Sequence, residues 1–245
     1  MKITEKNFRN FYFGAAAEAY IQSELYTFGY EAFKAQPDIG YDLYVSNKAL
    51  SKFLNVEEKI FNIQIKSRLV YKEETEFCLT QDDYEMLLND TNGVLVCVLQ
   101  VPNISAEKDS FAYNRDTFRM DGMECYIEET MARMFIPEEK SISVSEIEIK
   151  FPVVGYTRVY FWMCNAMLHR LESEGLIKEK TTDKGEKLKY IIVSYEDEVI
   201  SILEKSNGYG YCPVHELLNI KYLLEPSELC KKKFEEGKMF GIDIE

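Results

Sequence analysis

The chain has 245 residues, 46% of them apolar and 29% charged, so it is long enough to bury a core and is neither disordered nor collagen-like. Its 42 acidic side chains outnumber its 29 basic ones, and the net charge of −13 argues against a protein that coats nucleic acid by neutralising phosphates. No apolar run approaches the roughly 18 residues that cross a bilayer, and the first residues lack the pattern of a secretion signal. We therefore expect a cytoplasmic protein that makes no use of a membrane.

In the first part of the chain, helical and strand-like patterns alternate. The segment 47–54 is typical either of a short helix or of a loop insertion. The other predicted elements are a helix over 14–28, a turn at 36–40, strands over 41–46, 60–67, 76–79 and 93–101, and a helix over 81–88. Such alternation indicates an α/β fold built on a mixed sheet.

The pattern changes in the second part of the chain. Residues 102–118 predict a surface loop, and strands near 134–136 and 147–151 are expected to close the first unit. Beyond Pro152, a helix over 158–174 is predicted to end at Gly175, followed by a hairpin. We therefore expect two domains, residues 1–150 and a smaller α+β region, residues 151–245, of winged-helix character.

Three polar residues alternate with apolar ones along the predicted strand 60–67. Because side chains alternate between the two faces of a strand, Asn62, Gln64 and Lys66 share the face opposite to Ile63 and Ile65. A solvated face is the simple alternative explanation.

Two carboxylates stand out upstream of this strand. Asp42 opens the strand over 41–46, where an Asp commonly serves only as a turn or cap residue. Glu18 falls on an otherwise small or apolar stripe of the predicted helix over 14–28. A carboxylate on a buried stripe needs a cation or hydrogen bonds to offset its desolvation, unless it lies at the wet margin.

A carboxylate on a leading helix, an Asp at a strand opening and a Gln-x-Lys strand fit a metal-dependent phosphodiester cleavage site. Asp42 and Glu18 offer hard oxygen ligands for Mg²⁺ or Mn²⁺, and the Gln64 amide oxygen and the Ile65 backbone carbonyl offer neutral ones. Lys66 can orient or deprotonate the attacking water, or stabilise charge in the transition state. With only two histidines in the chain, His-rich metal sites are disfavoured.

On these residues the sequence resembles the PD-(D/E)XK nuclease superfamily, in the branch of Holliday-junction resolvases, Mrr-type restriction enzymes and DUF4365-type domains. The resemblance covers about residues 10–102 and is carried by GAAAEAYIQSELYTFGYEAFKAQPDIGYDLYV, FNIQIKSR and FCLTQDDYEMLLNDTNGVLVCVLQV. It implies a restriction-endonuclease-like core, in which a four-stranded mixed sheet is flanked by helices, together with a divalent metal and cleavage of DNA. It further implies Asp42, Gln64 and Lys66 as the core triad and Glu18 as the helix carboxylate.

The sequence departs from the family pattern at two places. Gln64 stands where an acidic residue is more common, which removes one charge from the implied metal site. Asp38, which follows Pro37 directly, competes with Asp42 for the role of the family's first aspartate and is the nearest further carboxylate. We prefer Asp42 because its strand context places it beside the Gln-x-Lys strand.

Candidate nucleic-acid contacts are Arg68, which follows the Gln-x-Lys strand, and Lys184 and Lys187 in the predicted hairpin. Solvated surface charge is the alternative for all three. An apolar patch at 217–224 offers a surface for a homodimer or a partner protein. We expect a magnesium-dependent DNA endonuclease serving restriction or phage defence; the alternative is a catalytically weakened nuclease fold that acts as a DNA-binding or interaction module.

Overall fold

The computed structural model describes residues 8–34, 40–55, 57–70, 74–102, 156–206, 208, 210–213, 215–224 and 240–242. The loop expected over 103–118, the strands expected near 134–136 and 147–151, and Asp38 lie outside these residues. Within them, no helix is both long enough and apolar enough to span a bilayer.

The first four helices follow the predicted order, with one exception given below, and two short helical segments after residue 214 were not predicted. The helical elements are α1 (Phe8–Thr27), α2 (Lys48–Leu54), α3 (Gln81–Asn89), α4 (Asn165–Ser173), a 3-10 helix (His215–Leu218) and α5 (Lys221–Leu224). The ambiguous segment 47–54 is therefore a short helix. Gly29 and Gly175 follow α1 and α4 with φ of 82° and 73°, the left-handed conformation that closes a helix C-terminus.

The strands are β1 (Glu31–Lys34), β2 (Leu43–Ser46), β3 (Ile60–Leu69), β4 (Glu74–Thr80), β5 (Gly93–Pro102), β6 (Tyr156–Cys164), β7 (Lys178–Thr181), β8 (Lys187–Glu196), β9 (Val199–Leu203), β10 (Gly210–Pro213) and β11 (Phe240–Ile242).

The helix predicted over 158–174 is wrong in its first half, which forms β6. Tyr160, Phe161, Trp162 and Met163 are all buried, at 7%, 0%, 1% and 0% exposure. Four consecutive buried side chains require cover on both faces, which a strand of a sheet packed on both sides receives and an amphipathic helix does not. The Trp162 segment therefore packs in the core.

The first sheet has five strands in the order β1-β2-β3-β5-β6. The β1–β2 and β2–β3 pairs are antiparallel and the β3–β5 pair is parallel, so the expected α/β class with a mixed sheet is confirmed. The expected strand number of four is wrong, because β6 adds to the sheet from beyond residue 155.

The second sheet has the order β11-β10-β9-β8-β4, with β7 also paired to β8. The predicted hairpin is present as β7 and β8, but β8 also pairs antiparallel with β4 along residues 74–80. The described residues up to 101 and from 157 onward accordingly belong to one compact unit. This arrangement differs from the expected division at residues 150 and 151, because both sheets combine strands from the two ends of the chain.

The first sheet has two faces, which we name by the helices that cover them. The α1 face carries Ile63 and, by register, Val94 and Gln100, and the Gln100 side chain donates to the Phe13 carbonyl of α1 at 2.9 Å. The α3 face carries Gln64 and Lys66, which alternate with Ile63. The fully buried α1 residues Ala17, Ile21 and Leu25 pack in the core together with Ile63 and Val94.

Candidate functional site

Three polar side chains of β3 on the α3 face are each bound to a carboxylate. Asn62 Nδ2, Gln64 Nε2 and Lys66 Nζ donate to the Oδ2 atoms of Asp90, Asp42 and Asp83, at 2.7, 2.8 and 3.1 Å. Gln64 is only 6% exposed. The alternative that this face is simply solvated is therefore wrong, and the sequence places a row of donor–carboxylate pairs along β3.

Asp42 lies where the β2–β3 pairing ends. The last paired residues are Leu43 and Ile63, and the Asp42 amide still donates to the Ile63 carbonyl at 2.9 Å. Its carboxylate accepts the Ile65 amide at 2.6 Å as well as the Gln64 amide. The side chain thus replaces the backbone acceptor that β2 no longer provides, which places Asp42 beside Gln64 as the strand context predicted.

A second carboxylate fixes the residue immediately before Asp42. Asp90 Oδ2 accepts the Tyr41 hydroxyl at 2.7 Å in addition to Asn62, and Oδ1 accepts the Asn92 amide at 2.8 Å. Burial alone would raise the pKa of Asp90, but these three hydrogen bonds hold it below the ordinary value of the carboxyl group. Burial, and then the bond to Asp90, raises the pKa of Tyr41. The hydrogen bond to Asp90 thus fixes Tyr41, the residue that leads through Asp42 into β2.

The partner of Lys66 was not foreseen from the sequence. Asp83 lies in the first turn of α3, where its backbone amide donates to the N-cap side chain of Thr80 at 3.1 Å. This cap starts α3 directly after β4 and fixes Asp83 within reach of Lys66; the two side chains are 26% and 27% exposed. The Thr80-x-x-Asp83 spacing marks a helix start, but nothing local to it indicates which cation Asp83 meets.

Glu18 has a different partner from the other three candidates. Its Oε2 lies 2.6 Å from Lys34 Nζ at the end of β1. Lys34 pairs with Leu43, which pairs with Ile63, so by alternation Lys34 belongs to the α1 face and not to the face of Gln64 and Lys66. The ion pair with Lys34 offsets the cost of desolvating the Glu18 carboxylate on the otherwise apolar stripe of α1. The contacts in the described ranges join Asp42 with Gln64 and Ile65, and Lys66 with Asp83, and they join Glu18 to Lys34.

The oxygen atoms around Asp42 can be tested against a divalent cation. In the described part of the chain, no three His, Cys, Asp or Glu side chains group as a metal site. The Gln64 amide donates its NH₂ group to Asp42, so its oxygen is directed away from that carboxylate. One carboxylate, one amide oxygen and the Ile65 carbonyl are hard donors, and Mg²⁺ often binds through one or two carboxylates while keeping several waters. A rotation of the Gln64 amide by about 180° about χ3 would exchange its nitrogen and oxygen and turn the oxygen toward Asp42. With that rotation, the donor set would fit a weakly charged, largely hydrated cation site.

The candidate nucleic-acid contacts differ in how far the protein itself uses them. Arg68 donates from Nε to the Glu76 carbonyl at 2.8 Å and from Nη1 to the Ser67 carbonyl at 3.2 Å, although its side chain is exposed. In the hairpin, Lys180 pairs with Glu76, whereas Lys184 and Lys187 are exposed near the β7–β8 turn.

The apolar patch expected at 217–224 as an interface is largely internal. Leu217, Ile220 and Leu223 are 0%, 0% and 5% exposed and belong to the chain's own core, and Leu218 is 38% exposed. These three side chains are therefore used within the chain, and an interface at 217–224 with a second copy or a partner protein stays a prediction.

No protein-family model, curated protein or solved structure matches the chain.

Proposed function

We propose that the chain is a divalent-metal-dependent endonuclease that hydrolyses phosphodiester bonds in DNA, on a restriction-endonuclease-like core of the PD-(D/E)XK type. The observation that carries the proposal is the contact of Asp42 with both Gln64 and the Ile65 amide, with Lys66 two residues further on the same face of β3. A carboxylate, a neutral oxygen donor and an ammonium group then lie at one end of the β2–β3 pair, as phosphodiester hydrolysis requires.

Each side chain has a distinct role in this proposal. Asp42 and the Gln64 oxygen hold Mg²⁺ or Mn²⁺, with Ile65 contributing its carbonyl. The bound cation polarises the phosphate and lowers the pKa of a coordinated water. Lys66 spends one of its three N–H donors on Asp83, which leaves two that can orient the attacking water or stabilise the charge that develops on phosphate. Glu18, joined to Lys34, lies outside this set.

Substrate contact is local in this proposal because the chain carries a net charge of −13. Arg68 lies two residues beyond Lys66 on the same strand face and can reach a neighbouring phosphate. The exposed Lys184 and Lys187 supply a second backbone contact. A cytoplasmic role in restriction or phage defence is the biological setting we propose, and a partner protein can assist delivery of DNA.

The test is plasmid nicking in Mg²⁺ or Mn²⁺ by the wild type and by Asp42→Asn and Lys66→Ala. Loss of a catalytic group of this kind lowers the rate by about 100-fold or more. Lys52→Ala removes an equivalent charge from the exposed face of α2 and leaves the rate unchanged. Equal nicking by wild type, Asp42→Asn and Lys66→Ala would place the activity elsewhere.

A second candidate function is a nuclease-fold module that binds DNA without cutting it. The neutral Gln64 and the absence of a three-carboxylate group among the described residues favour it. Calorimetric titration with Mn²⁺ separates the two functions, since heat of binding that disappears in Asp42→Asn favours the nuclease and no binding to the wild type favours the module.

A further inference from the structure

A cleft of about 290 Å³ lies apart from the β3 site, and none of the residues named in that site lines it. On one side are Tyr20 and Glu24, which are four residues apart and so share one face of α1, and Phe28, which follows the end of that helix. Facing residues come from β6 and from the β8–β9 turn, among them Arg158, Tyr160 and Glu198. The volume is at the small end of the roughly 300–1,000 Å³ of ligand pockets, which suits one ring system.

Arg158 brings an unsatisfied donor to this cleft. Its Nε is buried and has no hydrogen-bond partner, and its guanidinium carbon lies 5.9 Å from the centre of the Tyr20 ring. A buried donor without an acceptor is costly, and the great majority of such groups in folded proteins are paired. Because Nε has almost no accessible surface, an acceptor in the cleft would pair with it once the guanidinium group turns toward the cleft.

Glu198 is held in a conformation that its residue type disfavours. Glu196 pairs with Val199, so Asp197 and Glu198 alone form the β8–β9 turn, with φ of 47° and 67°. Tight turns of this hand favour Asn-Gly or Gly-Gly, because both central residues need positive φ. A Glu in the left-handed region is uncommon, and such residues concentrate at binding and catalytic sites. Of the two turn residues, Glu198 is the one that lines the cleft.

Together these groups specify the chemistry of a ligand. Glu24 and Glu198 are acceptors, Arg158 is a donor, and the rings of Tyr20 and Tyr160 supply an aromatic wall. Guanine presents N–H donors at N1 and N2 to a carboxylate and acceptors at O6 and N7 to an arginine, and unstacked bases pack on aromatic side chains. One cation against two carboxylates leaves the cleft at −1, which disfavours a phosphate inside it.

We propose that this cleft binds the guanine ring of a nucleoside, or of an unstacked nucleotide within a nucleic acid. The proposal does not depend on nuclease activity. Adenine fits less well, because its ring nitrogen N1 is an acceptor and would face a carboxylate.

The test is calorimetric titration of the full chain with guanosine, inosine and adenosine. We expect saturable guanosine binding with a dissociation constant below about 1 mM, weaker binding of inosine, which lacks the N2 amine, and adenosine binding weaker by about tenfold or more. Arg158→Lys keeps the charge but not the Nε donor and weakens guanosine by about tenfold or more.

The two turn residues supply a matched pair of variants. Asp197→Gly and Glu198→Gly both relieve a positive φ and each raises the unfolding temperature by roughly 2 °C. Only Glu198→Gly also weakens guanosine binding, by about tenfold, because Asp197 does not line the cleft. A turn with a purely structural role would show the gain in stability without the loss of binding.

The source of the base is decided by comparing guanosine with a single-stranded oligonucleotide that carries one guanine among thymines. Tighter binding of the oligonucleotide that weakens in Glu198→Gly assigns the cleft to nucleic acid, because the DNA contacts proposed around β3 do not involve Glu198. Equal or weaker binding than that of guanosine assigns the cleft to the free nucleoside. No saturable guanosine binding by the wild type, or unchanged binding by Glu198→Gly, would overturn the proposal.

Discussion

Replacing Asp42 by alanine tests how much of the β2–β3 end depends on one carboxylate. The change leaves the Ile65 amide and the Gln64 amide without their acceptor, at bonds that measure 2.6 and 2.8 Å. Hydrogen bonds to a charged group contribute about 1.5–3 kcal/mol each. Asp42 is only partly buried, so water recovers some of this loss. We expect the free energy of unfolding to fall by about 2–4 kcal/mol, a large share of the roughly 5–15 kcal/mol typical of a domain. Asp42→Asn retains one acceptor oxygen and loses about 1 kcal/mol.

The measurement is urea unfolding at pH 7, followed by the emission of Trp162, the one tryptophan of the chain. Asp82→Ala is the control, since this exposed carboxylate lies in the first turn of α3 and costs about 0.3–1 kcal/mol through the helix dipole. Gln64→Ala should cost less in the Asp42→Ala background than in the wild type, because the two side chains share a bond. Equal unfolding free energies for Asp42→Ala and Asp82→Ala would refute the reasoning.

Three further predictions concern other parts of the compact unit. Lys189 Nζ donates a hydrogen bond to the Glu179 carboxylate, and this bond raises the pKa of Lys189. The ammonium therefore stabilises the fold fully below its unfolded pKa of about 10.4 and loses that effect as the pH rises through the folded value. Lys189→Met should therefore flatten the alkaline decline of the unfolding temperature. Asp90→Ala removes the acceptor of a buried hydroxyl and a side-chain amide and should cost about 2–3 kcal/mol in urea unfolding at pH 7. Trp162→Phe should cost about 2 kcal/mol by circular dichroism, because Trp162 is 1% exposed and its Nε1–H donates to a backbone carbonyl at 3.2 Å.

The sequence predicted an element correctly where its hydrophobic periodicity and its capping residues indicated the same structure. The helix expected over 81–88 is α3, because Thr80 caps it and its apolar positions fall on one face. The segment 158–164 misled the same reasoning, because its side chains are large and apolar on both faces and short apolar runs suit a helix or a strand equally. Only the pairing with β5 decides between them, and that pairing joins segments more than fifty residues apart.

In the candidate site, too, local pattern predicts some features, whereas others depend on segments that are distant in sequence. Strand alternation alone placed Asn62, Gln64 and Lys66 on one face of β3. The partner of Lys66 depends on how α3 crosses that face, which no spacing within β3 encodes. The order of residues along the chain suggested that Glu18 shares a metal cation with Asp42. The register of β1 instead places Lys34 next to Glu18, and the two side chains form an ion pair.

Lys66 separates the structural from the functional interpretation of β3 more sharply than Asp42 does. Asp42 satisfies two donors near the end of a ladder, so a folding role alone would explain its presence. Lys66 and Asp83 are each about one quarter exposed, and ion pairs of that exposure contribute roughly 0–1 kcal/mol. Lys66→Met keeps the aliphatic stem, so its unfolding free energy should stay within about 1 kcal/mol of the wild type. Metal-dependent nicking should nevertheless fall by about 100-fold or more if the ammonium assists hydrolysis. A variant that is folded and still fully active would leave the lysine with no part in the chemistry, whatever Asp42 does.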